Sequence, residues 1–162
     1  MNRYEISWEG IAEPDWAVHL PDFLNRICVY IGVDSWEVSL TFCDNDHIRD
    51  LNARYRNKAE ATDVLSFPQY DGTENFPDIP GIGQHKDEDF FFAVGDIVIS
   101  PAFVLENSQY FGVPYEEELK RVIIHGMLHL KGLDHQTSEP DEPMLLFQEE
   151  ILESTKDVRL FS

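Results

Sequence analysis

The sequence predicts an α+β fold, one domain over residues 1–162, with a small mixed β-sheet of roughly four strands packed with about five helices. Three observations predict it. A chain of 162 residues that is 43% apolar and 12% aromatic can close one core, burying roughly 70% of its unfolded surface. Segments of period two alternate with segments of period three to four, but without the regular spacing of βαβ repeats. There are no internal repeats and no low-complexity tracts that would divide the chain.

The elements follow in chain order. Residues 4–8 alternate (Tyr4, Ile6, Trp8) and read as a strand. From Pro14 to Ile31, the apolar residues Trp16, Leu20, Phe23, Leu24, Ile27 and Ile31 recur at helical spacing. Residues 36–42 alternate cleanly as a half-buried strand. Asp44 or Asn45 is placed to cap a helix through Ile48, Leu51 and Tyr55. Residues 62–67 form a short strand that Pro68 stops. Residues 69–89, rich in Gly, Pro and acids, read as a long loop. Residues 90–94 and 96–99 are strand material, either a hairpin or one strand with a bulge around Gly95. Ser100-Pro101 starts a helix as a cap followed by proline. Pro114 starts another, with Glu116, Glu117 and Glu118 complementing the helix dipole. That helix runs to about Lys131 and stops at Gly132. A last amphipathic helix covers residues 142–154.

Charge narrows the function classes. The chain has 12 Lys+Arg against 31 Asp+Glu, a formal net charge of −19. Bulk attraction to DNA, RNA or anionic lipid is therefore not expected, and neither a DNA nor a membrane partner is. A local basic site remains open. Residues 49–58 contain Arg49, Arg54, Arg56 and Lys58 against the single acid Asp50. This cluster is either reserved for one anionic partner or is a solvated helix face. Cys28 and Cys43 form no C-x-x-C pair and read as buried free thiols of a reducing compartment. The first residues lack an apolar stretch of signal-peptide length, and no window approaches ~18 apolar residues. A cytoplasmic location is expected.

Chemistry concentrates in residues 125–135, His-Gly-Met-Leu-His-Leu-Lys-Gly-Leu-Asp-His. On a helix, His125 and His129 lie about 40° apart and can grip one ion from one face. Gly132 can end the helix in a left-handed turn that returns His135 to the same ion. Three nitrogens leave a fourth position open, as in a catalytic zinc site. The spacing is that of metzincin proteases, except that Gly126 stands where their glutamate base would be. Peptide hydrolysis therefore lacks its proton acceptor. Asp134 is either an orienting partner of a ligand imidazole or a turn carboxylate. Leu119, Ile123, Met127 and Leu130 lie opposite the histidines and should pack on the sheet.

The run from His125 to His135 resembles the signature of the YbeY family, bacterial endoribonucleases that mature ribosomal RNA. Two further stretches match in order, Leu51-Asn52 with Tyr55-Arg56 and Thr62-Asp63-Val64-Leu65-Ser66-Phe67-Pro68, and then residues 95–99, Gly-Asp-Ile-Val-Ile. The resemblance implies zinc on His125, His129 and His135, and a basic residue near the metal, which falls on Arg56. It implies cleavage of single-stranded RNA in 3′-end maturation of 16S rRNA and in ribosome quality control, with ribosomal RNA and the ribosome or small-subunit proteins as partners.

Zinc would make a carboxylate base less necessary, which fits Gly126. Arg56 is the expected catalytic residue, holding a phosphate through its planar fork, with Arg54 and Lys58 as candidate contacts to neighbouring phosphates. A strand would put these three on one face; a helix would scatter them. The family usually carries an acid three residues after this arginine. Ala59 and then Glu60 stand there instead, so an ion pair orienting Arg56 is shifted or absent. Arg121, about 40° from His125, either adds positive potential or contacts acids. Thr62, Asp63 and Ser66 should shape the strand and turn beside the site. Asp96 should bond backbone or a ligand histidine. A non-catalytic ribosome-assembly factor with a structural zinc and a metzincin-like peptidase are the competing readings.

Overall fold

In the computed structural model, which describes residues 1–69 and 91–161, the alternation of residues 36–42 becomes one of the two central strands of a four-stranded sheet. The strands are β1 (Arg3–Glu9), β2 (Trp36–Cys43), β3 (Val64–Pro68) and β4 (Phe92–Ile99), in the order β1-β2-β4-β3. The pairs β1–β2 and β2–β4 are parallel; β3 runs antiparallel to β4 at the sheet edge. The helices are α1 (Leu20–Ile31), α2 (Asn45–Arg56), α3 (Pro101–Phe111), α4 (Tyr115–Leu130) and α5 (Pro143–Ser154).

The period-two pattern sorts the two faces. Val38, Leu40 and Phe42 share one face with their register partners on β1 and with Ile97 and Ile99 of β4. They join the buried faces of α1, α4 and α5 in the main core. The other face holds a smaller cluster, in which Val98 and Leu65 pack with Ile48 of α2. Thus α2 covers one side of the sheet and α4 the other.

Two expected elements differ. The helix expected from Pro14 is split: Asp15–His19 is a 3-10 turn, and the α-helix begins only at Leu20. Pro21 is the cause. Its missing N–H and its ring are tolerated in a first turn but not within a continuous helix. The segment around Gly95 is one strand with a bulge and not a hairpin: between Ala93 and Gly95 the pairing with β2 slips by a residue. Gly95 sits there at φ +147°, and a Cβ would lie 2.5 Å from the Phe67 carbonyl oxygen and 2.7 Å from a Leu130 methyl. The loop expected at 69–89 lies almost wholly outside the described residues.

Asp44 caps α2 by accepting from the His47 N–H at 2.9 Å. Ser100 caps α3, with Oγ accepting from the Phe103 N–H at 3.4 Å. Leu119, Ile123, Met127 and Leu130 are all buried, as their helical spacing requires. Both cysteines are free and buried, and burial pushes the Cys43 thiol up to about 11. Among the described residues, no helix is long and apolar enough to cross a membrane.

Candidate metal centre

The last two turns of α4 put His125 and His129 on one face, and the way the helix stops delivers the third histidine. Gly132 adopts φ +100°. Its N–H donates to the His129 carbonyl at 3.0 Å, and the Leu133 N–H donates to the Leu128 carbonyl at 3.1 Å. This is the Schellman pattern, in which a left-handed residue satisfies the last carbonyls and reverses the chain. Asp134 holds the turn by accepting from the His135 N–H at 2.8 Å. Its role in the structure is thus that of a turn carboxylate.

One potential ligand atom from each of His125, His129 and His135 lies within 4.8 Å of the others. Each ring is anchored through its other nitrogen. His125 Nδ1 lies 2.6 Å from Gln148 Oε1, His129 Nδ1 lies 3.0 Å from the Leu133 carbonyl, and His135 Nδ1 lies 2.7 Å from the Thr137 carbonyl. A carbonyl oxygen only accepts, so all three Nδ1 atoms carry a proton, and in the neutral form of each ring Nε2 is the lone pair available to a metal. His125 Nε2 and His129 Nε2 stand 3.0 Å apart. Two lone pairs that close repel unless a cation draws both. The donor set therefore fits a divalent metal, and three neutral imidazoles suit zinc. Burial pushes the His125 and His129 pKa values down, and each is lowered further by neighbouring histidines. Both rings are thereby kept neutral and ready to ligate.

The histidines open into a cleft of about 750 Å³, lined also by Arg56, Val64, Ser66, Pro68, Leu133 and Asp134. Residues 64, 66 and 68 form one face of β3, across from Ile99, Ile97 and Gly95 of β4. Arg56 ends α2, which packs on the opposite side of the sheet, and it reaches the cleft around the β3 edge. Its guanidinium donates to the Ser66 carbonyl at 3.4 Å. Among the described residues it has no ion pair, and Glu60 instead uses its backbone carbonyl to accept from Asn52 at 2.9 Å. Asp63 starts β3 by accepting from the Val64 N–H at 2.8 Å, and Thr62 donates to it at 3.3 Å.

The other expected cations do not gather here. Residues 45–56 are helical, so Arg54 and Arg56 diverge by about 200°. Lys58 lies beyond the left-handed cap residue Asn57, and neither Arg54 nor Lys58 lines the cleft. Arg121 contacts acids: it forks onto Glu149 at 2.9 and 3.0 Å and onto Glu118 at 2.7 Å. Its charge is spent there. Gly126 faces the sheet, where a Cβ would lie 2.9 Å from Ile97 Cγ2. The absence of a side chain at 126 is therefore required by packing, not only permitted by the chemistry.

Gln148 is a site residue that motif reasoning did not find. It occupies a buried position on α5 beside Met144, Ile151 and Leu152. A polar residue on an apolar stripe is the signal that would have marked it.

Comparison with known proteins places the chain in a family. A family model described as endoribonuclease YbeY matches residues 5–156. The chain is 40% identical over 144 residues to the endoribonuclease YbeY of Treponema denticola, covering 89% of this chain and 86% of that protein. It is 39% identical over 138 residues to that of Borreliella burgdorferi, covering 85% of each. A solution structure of a Thermotoga maritima protein is similar at a TM-score of 0.57 and 27% identity, covering 91% of this chain and 87% of that one.

Proposed function

This chain belongs to the endoribonuclease YbeY family, and from that premise we propose that it is a zinc-dependent endoribonuclease that hydrolyses phosphodiesters of single-stranded RNA. The observation that carries the reading is the convergence of three imidazoles, with one ligand nitrogen of each within 4.8 Å of the others, on an open cleft that also receives Arg56. His125, His129 and His135 would hold the ion. When bound, zinc supplies Lewis acidity toward a phosphate oxygen or toward water.

The chain's own residues do the rest. Arg56 binds the non-bridging oxygens of the reacting phosphate; its planar fork and permanent charge suit that task better than an ammonium. The Ser66 carbonyl aims the guanidinium along the β3 edge. The reacting contact is assigned to Arg56 alone, since Arg54 and Lys58 lie outside the cleft. Gly126 disfavours the peptidase reading, because a glutamate at that position would be driven into Ile97. A structural zinc is disfavoured by the opening of the three histidines into a broad cleft instead of a closed four-ligand site.

As the sequence resemblance implies, we further propose a role in 3′-end maturation of 16S rRNA and in ribosome quality control in the cytoplasm. The net charge of −19 supports recognition assisted by the ribosome or a small-subunit protein over capture of free RNA.

Cleavage of a small-subunit rRNA precursor by protein freed of contaminating nuclease tests the reading. His129→Ala is expected to lose both zinc and cleavage. Arg56→Glu is expected to keep zinc and lose cleavage. Equal cutting by wild type and His129→Ala would overturn the metal-centred mechanism, and full cutting by Arg56→Glu would remove Arg56 from it.

A further inference from the structure

Two of the three histidines are anchored by backbone and one by a side chain. The His129 and His135 acceptors are the Leu133 and Thr137 carbonyls, which no substitution removes. The His125 acceptor is the side-chain amide of Gln148. An amide can be turned over, so it orients a ring only if it is itself held. Gln148 Nε2 donates to Glu149 Oε2 at 3.2 Å. Turned over, its oxygen would face that carboxylate and its NH₂ would face His125 Nδ1. The first contact is repulsive, and the second would require the lone pair on Nδ1 and the proton on Nε2, the wrong tautomer for the cluster. Glu149 is in turn fixed by the Arg121 fork, and Arg121 by Glu118, itself buried.

We propose that Gln148, oriented by the Glu149–Arg121 ion pair, is a positioning residue that sets the tautomer of His125 and thereby the metal affinity of the cluster. The proposal rests on the reading that the three histidines hold a metal. The relay runs from the N-terminal half of α4, across to α5, and back to the ligand near the C-terminal end of α4. Arg121 and His125 stand one helical turn apart on α4, and the packing of α5 against α4 holds Gln148 and Glu149 beside them. The charge of Arg121, which adds nothing to RNA attraction, acquires a use here.

The test is zinc affinity, measured on the full chain by competition with a chromophoric chelator. Gln148→Leu keeps the volume and removes the acceptor. It is expected to bind zinc about 10–100-fold more weakly, the usual effect of losing a ligand's hydrogen-bond partner. Glu149→Ala, which frees the amide to turn, should weaken zinc binding by less. A measurement without substitution stands beside these. In the metal-free wild type, nitrogen-15 NMR of the imidazoles should find the His125 proton on Nδ1, and in Glu149→Ala a share of it should move to Nε2. Zinc affinity in Gln148→Leu within twofold of wild type, or a His125 proton on Nε2 in the wild type, would overturn the proposal. Failure of the wild type to bind zinc would instead overturn the metal reading beneath it.

Discussion

Gly126→Ala isolates the contact on which the placement of the histidine helix depends. An added Cβ would stand 2.9, 3.1 and 3.3 Å from Cγ2, Cδ1 and Cγ1 of Ile97, a fully buried side chain. In an uncrowded helix interior, alanine in place of glycine would gain about 0.8–1.0 kcal/mol. Wedging a methyl group into a filled interface costs about 1–3 kcal/mol. The net expectation is a loss of about 0–2 kcal/mol, against the sign that propensity alone would give. Urea unfolding of the metal-free protein reads it without a contribution from bound metal. Ile97→Ala, which removes all three contacting atoms, should cost about 2–5 kcal/mol by itself. The double variant should then fall short of the sum of the two losses by about 1–3 kcal/mol, because the methyl no longer meets anything. A Gly126→Ala protein about 1 kcal/mol more stable than wild type, with an additive double variant, would refute the close-approach reasoning.

Two further perturbations bear on the frame and on the site. Ser100→Ala removes a buried cap whose Oγ also donates to Asn45 Oδ1 at 2.5 Å. A loss toward the upper end of about 0.5–2 kcal/mol is expected in the same urea assay, and an unchanged midpoint would argue against the cap. The lowered pKa values of His125 and His129 give the metal-free protein a pH-dependent stability. Folded, these groups bind protons less readily than unfolded, so their contribution is complete above the ordinary value of 6.5 and is lost as pH falls through the lowered folded values. The thermal midpoint should therefore decline from pH 7.5 to 5, and His125→Ala should flatten part of that decline; an unaltered slope would contradict it.

What was legible in the sequence was whatever a local period or spacing carries. The alternation of residues 36–42 reports directly which side chains of β2 are buried, because one face of that strand meets the core. The i, i+4 histidines and Gly132 carry the three-histidine cluster in a single run, since a helix face and its stop are local geometry. What escaped is what the tertiary fold decides. Pro21 marks the true start of α1, but the apolar rhythm running through it masked the break. Gly126 reads as a missing base until the packing of α4 on Ile97 is known. Whether Arg54, Arg56 and Lys58 share a face depended on helix against strand, and α2 extends just far enough to separate them. The Leu133 and Thr137 carbonyls have no sequence signature at all, because every residue owns one.

The electrostatics of RNA binding follow from how the cations are used. Arg3, Arg26, Arg49 and Lys156 pair with single carboxylates, and Arg121 pairs with three. Lys120 and Lys131 donate to backbone carbonyls. Among the described residues, Arg54, Arg56 and Lys58 have no carboxylate partner, and they cluster at the C-terminal end of α2, where the helix dipole favours positive charge. The proposed nuclease thus meets RNA with a small local positive end on a body of charge −19. The two act over different distances. Repulsion from the whole body is long-ranged and is largely screened once the Debye length falls to about 10 Å near 0.1 M salt. Contacts at the cleft are short-ranged and weaken with salt by a slope of about −0.7 per phosphate neutralised. Affinity for a short single-stranded RNA should therefore rise as salt is first added, pass through a maximum, and then fall with the shallow slope of a few phosphates. Arg56→Ala should lower that slope by about 0.7. Fluorescence anisotropy of a labelled oligonucleotide across 10–500 mM salt measures both. A steep decline from the lowest salt onward would mean that RNA follows an extended basic track, and the assignment of recognition to the α2 end would fall.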